Sequence, residues 1–164
     1  MHSESAALTS HAIKCDLAGE VLRTSGRLRL KVTGWSMLPT VRPGDALTID
    51  QATIDCISSG DIVLFRRDGR LFVHRVIQKS DNAGLITQGD GMPHSDPPVS
   101  SGEVLGKVSS IMRDGKSLEP SSRLSLSGRA VAALVRRSPS AARVVVGVHN
   151  LCAARTKQVP ACQN

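Results

Sequence analysis

The chain has 164 residues, of which 40% are hydrophobic and 21% charged, enough for one domain with a hydrophobic core. Aromatic residues make up only 2%, with no tyrosine, which argues against a base-stacking surface for single-stranded nucleic acid. The first 120 residues carry 14 Lys and Arg against 14 Asp and Glu, so the whole net charge of +7 lies in residues 121–164.

The longest apolar runs fall far short of the ~20 residues that a membrane-spanning helix requires, so we expect neither a transmembrane nor a secretory segment. The four cysteines form no C-x-x-C pair and have no histidine at metal-ligand spacing. We therefore expect reduced thiols in a cytoplasmic protein, with no metal site and no cofactor. The cysteines are Cys15, Cys56, Cys152 and Cys162.

The N-terminal segment changes character near residue 13. Residues 1–12 are small and polar without periodicity, which predicts a disordered leader. Ile13, Leu17 and Val21 then recur at four-residue spacing, which predicts a short amphipathic helix that ends near Gly26.

A series of β-strands follows this helix. RLRLKV at 27–32 alternates apolar and charged residues, as a strand with one buried face does, and ALTID at 46–50 is a second strand after a turn at 42–45. Further strands are predicted at 85–87 and 104–111, and Asp-Gly at 114–115 predicts a hairpin to residues 117–118.

The strands 62–65 and 71–77 are predicted to form a hairpin around Asp68 and Gly69, the favoured pair for a type I′ turn. This turn fixes the register, so that Val63 faces His74. The side chain of His74 then shares one face of the sheet with four apolar residues, namely Val63, Phe65, Phe72 and Val76.

Residues 89–102 are rich in Gly, Pro, Ser and Asp and predict a long loop without regular structure. From residue 122 the pattern predicts a helix, a break at 138–139 and a second helix at 141–155. The sequence thus predicts a mainly β fold, a coiled antiparallel sheet with a short N-terminal helix and a helical C-terminal extension. Its regions are the leader 1–12, the β domain with its N-terminal helix 13–120, and a basic helical tail 121–164.

The segment TGWSMLPTVRPGD presents Ser36 on irregular backbone beside apolar side chains. A lone serine in a turn is most often structural, because its hydroxyl bonds to nearby backbone. A nucleophilic serine also needs a base within hydrogen-bond reach and an oxyanion site.

Four motifs follow one another in order: GWSMLPT with RPGD, then GDIVLF, then FVHRVI, then QGD. Together they resemble the type I signal peptidases of the S24/S26-like serine peptidase superfamily. The resemblance implies that Ser36, before Met37, is the nucleophile and that His74, before Arg75, is the general base. Bacterial members carry lysine at the base position, whereas archaeal and endoplasmic-reticulum-type members carry histidine, so the chain is similar to the histidine branch.

That branch has an aspartate six residues after the one in its G-D motif, and Asp90 and Asp96 show this spacing. The resemblance casts Asp96 as the residue that orients His74 and Asp90 as a supporting acid. Both lie in a turn-rich loop, so either could instead be structural. His94, in the same loop, is a competing base that we expect to be exposed.

The backbone N–H of Ser36 is the simplest oxyanion donor, and we place Met37 and Pro39 beside the substrate. Many family members add a hydroxyl two residues before the nucleophile, where this chain has Gly34. We therefore expect a weak oxyanion site and slow turnover.

The resemblance implies a serine endopeptidase that cleaves signal or leader peptides of preproteins after small residues. Family members usually carry an N-terminal membrane anchor, and here the basic tail could make a peripheral membrane contact instead, or be solvated. The alternatives are a self-cleaving regulator of the SOS-repressor type, a catalytically silent scaffold, and a nucleic-acid-binding module that uses the basic tail. We expect no nucleic acid partner, because no recognition motif accompanies the tail.

Overall fold

One antiparallel sheet forms most of the structure, a computed structural model that describes residues 2–80, 84–124 and 126–137. The strands are β1 (Arg27–Lys31), β2 (Ala46–Gln51), β3 (Ile62–Arg67), β4 (Arg70–Ser80), β5 (Gly84–Gln88), β6 (Val99–Ser100), β7 (Val104–Arg113) and β8 (Lys116–Leu118). The helices are α1 (His2–Ser25) and α2 (Leu126–Arg137), with a 3₁₀ turn at Ile54–Cys56.

The strands lie in the order β1-β2-β7-β3-β4-β5-β6, with β8 paired to β7, and the sheet is not closed. This confirms the predicted mainly β fold with its N-terminal and C-terminal helices. The second helix predicted for the tail, at 141–155, lies outside the described residues.

The β3–β4 hairpin has the predicted turn and register. Asp68 and Gly69 have φ angles of 50° and 67°, as a type I′ turn requires. Val63 pairs with His74. The predicted second hairpin is also present, because Asp114 (φ 49°) lies in the turn that joins β7 to β8.

The loop 89–102, predicted to be irregular, contains the short strand β6. Val99 is fully buried and pairs with Leu85 at the edge of the sheet, while Ser100 pairs with Gly84. A buried valine and two backbone pairs are enough to order this segment, and a strand of two residues leaves no periodic signal in the sequence.

Helix α1 differs from the prediction at its beginning. It starts at His2, so the segment predicted to be a disordered leader is helical. Its first residues include Glu4, Ala6, Ala7 and Leu8, which are strong helix formers. The predicted end is correct, since Gly26 follows with a φ of 71° and donates its N–H to the carbonyl of Leu22 at 2.8 Å.

The side of α1 that packs on the sheet is not the predicted one. Cys15, Ala18 and Leu22 are buried, whereas Ile13 and Leu17 are 60% and 61% exposed. One residue step turns a helix by about 100°, so the three buried residues form a different stripe. The small side chains of Cys15 and Ala18 let the helix approach the sheet closely.

The core consists of two clusters on opposite sides of β3, whose residues 62–65 are all buried. Ile62 and Leu64 point to the side that α1 covers through Leu22. Val63 and Phe65 point to the other side, together with β5 and β6. The histidine on β4 belongs to this second side, which places it between packed apolar side chains.

Candidate active site

Ser36 lies in a turn that begins shortly after β1. Leu38 donates its N–H to the carbonyl of Trp35 at 3.1 Å, and Val41 donates to that of Met37 at 3.0 Å. Met37, Leu38 and Val41 are buried, so the turn is anchored in the core on one side of the serine. The exposed Trp35 and the half-buried Ser36 remain on the surface side.

The side chains of Ser36, His74 and Asp96 form a continuous chain of contacts. Ser36 Oγ lies 3.1 Å from His74 Nε2, and His74 Nδ1 lies 2.6 Å from Asp96 Oδ2. The side chain of His74 is 6% exposed and that of Asp96 is 23% exposed. The structure thus brings together three of the predicted site residues from β4 and two loops.

The ionised state of Asp96 determines which ring nitrogen of His74 carries the proton. Burial by itself would raise the pKa of Asp96, but hydrogen bonds from His74 and Thr87 outweigh it and hold that pKa below its usual range. An ionised carboxylate only accepts hydrogen bonds, so Nδ1 of His74 is the donor. In the neutral imidazole Nε2 then carries a lone pair and accepts from the hydroxyl of Ser36.

Apolar contacts fix the plane of the imidazole. The ring centroids of Phe65 and Phe72 lie 5.9 Å and 6.0 Å from that of His74. Both contacts follow from the register of the β3–β4 hairpin, which puts the three rings on one face of the sheet.

Asp90 lies in a separate buried cluster. Its carboxylate accepts from Arg75 Nε at 2.8 Å and Nη2 at 2.9 Å, and from the hydroxyl of Thr40. Arg75 Nη1 also donates to the carbonyls of Gly60 at 2.8 Å and Ser121 at 2.7 Å. Asp90 therefore contacts Arg75 and not His74. Through Thr40 and Arg75 it connects the turn that carries Ser36, the serine turn, to β4.

The loop that carries Asp96 is held at both ends. At its beginning, Gly91 donates its N–H to the carbonyl of Ser36 at 2.8 Å. At its end, Arg67 donates to the carbonyls of Pro97 and Pro98 at 3.0 Å and 2.8 Å. A hydrogen bond from Arg67 lowers the pKa of Glu103 to about 2, so that carboxylate stays charged and holds Arg67. We call this pair the Arg67–Glu103 clamp.

Gly89 permits the loop to approach the serine and the histidine. A Cβ atom at this position would lie 2.6 Å from the carbonyl oxygen of Ser36, 2.7 Å from Met92 Cγ and 3.2 Å from His74 Nε2. Distances below 3 Å to backbone require movement, so a larger residue would displace the loop or the serine turn.

A cleft of about 500 Å³ leads to Ser36 and His74. Gly34 and Met37, two of the residues expected on the substrate side, line this cleft, whereas Pro39 is not among its described lining residues. Strand β1 pairs only with β2, and β5 pairs with β4 only from Arg75 onward. Within the described residues, β1 and the 70–74 part of β4 thus each have an unpaired edge at the cleft.

Several residues of this site gave no signal in the sequence. Thr87 donates to Asp96 Oδ2 at 2.6 Å, and Thr40 contacts Asp90, but neither stands at a diagnostic spacing. His94 is exposed, as expected. Cys15 is buried and Cys56 exposed, both as free thiols, whereas Cys152 and Cys162 lie outside the described residues.

Among the described residues, no group of three or more His, Cys, Asp or Glu side chains is arranged to hold a metal ion. Neither of the helices in that part of the chain is long and apolar enough to cross a membrane.

Comparison with known proteins places the chain in a family. The family model described as Peptidase S24-like matches residues 4–109, well over half of the 164 residues. No curated protein matches the chain. The matched region runs from α1 into β7. It includes the turn that carries Ser36, strand β4 with His74, and the loop 89–102 with Asp96, here called the aspartate loop. The chain therefore belongs to the Peptidase S24-like family.

Proposed function

We propose that this protein is a serine endopeptidase in which Ser36 is the nucleophile, His74 the general base and Asp96 the residue that orients the base. The observation that carries the proposal is the unbroken chain from Ser36 Oγ through both ring nitrogens of His74 to the Asp96 carboxylate. Family membership supports the same reaction class.

The reaction proceeds in two halves. Ser36 Oγ attacks the scissile carbonyl carbon while its proton passes to His74 Nε2, and the C–N bond then breaks as that proton passes to the leaving amine. Water hydrolyses the acyl ester in the second half, again with His74 as base. Asp96 remains ionised throughout and holds Nδ1–H in place.

The negative oxygen of the tetrahedral intermediate is bound by the backbone N–H of Ser36. Gly34 contributes no hydroxyl to this oxyanion site, so we infer that turnover is slow.

We further propose that the substrate is a peptide in extended conformation. The unpaired edges of β1 and of residues 70–74 flank the cleft, and a peptide strand between them would satisfy their backbone groups. With histidine at the base position, we assign the enzyme to the signal-peptidase-like branch that cleaves signal or leader peptides after small residues.

Self-cleavage of the SOS-repressor type is the second candidate. One observation favours it: His11, Lys14 and Cys15 of α1 line the same cleft as Ser36, so a segment of the protein's own chain lies beside the nucleophile.

Mass spectrometry of a signal-peptide-bearing preprotein mixed with the full chain tests these readings. We expect one cut after a small residue, lost in both Ser36→Ala and His74→Ala. His94→Ala is the matched control, since it removes an exposed histidine from the aspartate loop and should retain the cut. Fragments of the protein itself would favour self-cleavage, and an uncut mixture would leave a scaffold as the better account.

We propose that contact with membranes, if the substrate requires it, is made by the basic tail 121–164. Flotation with anionic vesicles should recover the full chain in preference to a chain that ends at Pro120. Equal recovery of the full and the shortened chain would show that the tail makes no membrane contact.

A further inference from the structure

Cationic side chains surround the cleft that leads to Ser36. Lys14 on α1, Lys31 on β1 and Arg70 on β4 all line it, together with His11. All four residues are exposed, so a substrate in the cleft can reach their side chains. Below them the lining is mainly apolar, and includes Leu30, Val32, Met37, Val41, Leu71, Phe72 and Val73.

Nothing in the described part of the chain neutralises these cations. The cleft has no Asp or Glu among its described lining residues, and no described carboxylate pairs with Lys14, Lys31 or Arg70. Asp16, the acid next to Cys15 on α1, lies 3.7 Å from Arg66 and lines a neighbouring depression instead.

Elsewhere on the sheet, four of the described arginines are paired with acids. The pairs are Arg27 with Asp50, Arg67 with Glu103, Arg75 with Asp90 and Arg113 with Asp45. The cleft differs from these four pairs, because three cationic side chains line it without a described acid partner.

We propose that the cleft selects peptides with acidic side chains about four residues from the scissile bond. This inference rests on the proposed endopeptidase function and names its substrate class. A strand rises about 3.3 Å per residue, so Arg70 lies roughly 13 Å along β4 from His74. An extended peptide with its reacting carbonyl at Ser36 has the same rise, which brings its fourth residue beside Arg70.

A peptide fits this surface better than another polyanion does. The unpaired edges of β1 and β4 offer backbone donors and acceptors that only a peptide backbone can match in register. The apolar floor suits small or apolar side chains of the same peptide. A polynucleotide would meet the cationic rim alone and leave both edges and the floor unused.

Binding to the full-length Ser36→Ala protein tests the proposal without a need for turnover. The probes are fluorescent twelve-residue peptides with a central Ala-Ser-Ala. Each carries three Glu, three Ser or three Lys residues, placed three to five positions from the centre, and each set is made once with these residues on the N-terminal side and once on the C-terminal side. By fluorescence anisotropy we expect the Glu peptide with the favoured placement to bind about 5- to 10-fold more tightly than the Ser peptide at low salt. The difference should vanish in 1 M NaCl, where the screening length is about 3 Å.

Charge reversal in the Ser36→Ala protein shows which side chains cause the preference. The double change Lys31→Glu and Arg70→Glu should make the Lys peptide bind more tightly than the Glu peptide. The double change Lys31→Gln and Arg70→Gln should remove the difference in affinity. Lys116→Glu, which changes an exposed lysine on β8, is the matched control and should leave the preference unchanged.

Equal affinity for the three peptides would overturn the proposal, as would an oligonucleotide that competes as well as the Glu peptide. Cleavage of the same peptides by the unmodified protein separates the two claims. Selective binding of the Glu peptide without cleavage would refute the endopeptidase and retain the acidic preference. Cleavage and binding that do not depend on peptide charge would retain the endopeptidase and refute the acidic preference.

Discussion

Asp96 Oδ2 lies 2.6 Å from Nδ1 of His74, although 22 residues separate them in the chain. The contact forms because Asp96 also donates its backbone N–H to the carbonyl of Thr87 at 2.7 Å, which folds the loop back on β5. The hydroxyl of Thr87 donates to the same carboxylate oxygen. A loop therefore orients the histidine, while a strand carries it.

Asp96→Asn should lower kcat by about 10²- to 10⁴-fold while the fold is retained. The asparagine amide can present its NH₂ group to Nδ1, which favours the tautomer with a proton on Nε2, and that nitrogen then no longer accepts from Ser36. Steady-state cleavage of a peptide substrate measures the effect. A variant that keeps more than a third of the wild-type rate would remove Asp96 from the mechanism.

Gly34→Ser should raise kcat, because it supplies a hydroxyl near the oxyanion. A Cβ at Gly34 meets no heavy atom within 4 Å, so the change is sterically tolerated. A preorganised oxyanion donor raises kcat by about 10²- to 10³-fold. A newly introduced hydroxyl without supporting contacts should raise kcat by roughly 3- to 10-fold. Gly34→Ala is the control for the added side chain, and an equal rate in both variants would refute a role for the hydroxyl.

Arg75→Met should lower the free energy of unfolding by about 3–5 kcal/mol, because it leaves the Asp90 carboxylate buried without its cation. The two side chains are 7% and 3% exposed. Arg66→Met is the matched control, since Arg66 is 49% exposed and lies 3.7 Å from Asp16, and it should change stability by only about 0.5 kcal/mol. Urea unfolding distinguishes the two. Similar losses would mean that the buried pair adds little.

Much of the site's framework could be predicted from the sequence, because local rules govern it. The Asp68-Gly69 turn determines the hairpin register and with it the face on which His74 lies. The packed side of α1 could not be predicted, since it depends on how closely the sheet approaches Cys15 and Ala18 rather than on where large apolar residues recur. The contact between Asp96 and Thr87 depends on the path of a long loop, for which local sequence holds no rule.

Acid should destabilise the protein in part through Glu103. Its pKa in the folded state is lowered from 4.5 to about 2, mainly by the hydrogen bond from Arg67. The unfolded state then binds more protons between these values, so the stabilisation is complete above about pH 4.5 and is lost as the pH falls toward 2.

Thermal melts between pH 2.5 and 6 test this. We expect Tm to fall less steeply with acid in Glu103→Gln than in the unmodified protein. Glu119→Gln, at an exposed position outside the clamp, is the control and should follow the unmodified protein. Parallel curves for all three proteins would show that the Arg67–Glu103 clamp does not contribute.

Reaction with a fluorophosphonate is the most direct test of the central claim that His74 activates Ser36. Intact-mass and peptide mass spectrometry should show a single adduct on Ser36 in the full chain, formed at least about 100-fold more slowly in His74→Ala, in the range of general-base contributions. His94→Ala should react at the unmodified rate. No adduct, an adduct on another serine, or equal rates in the absence of His74 would contradict the account.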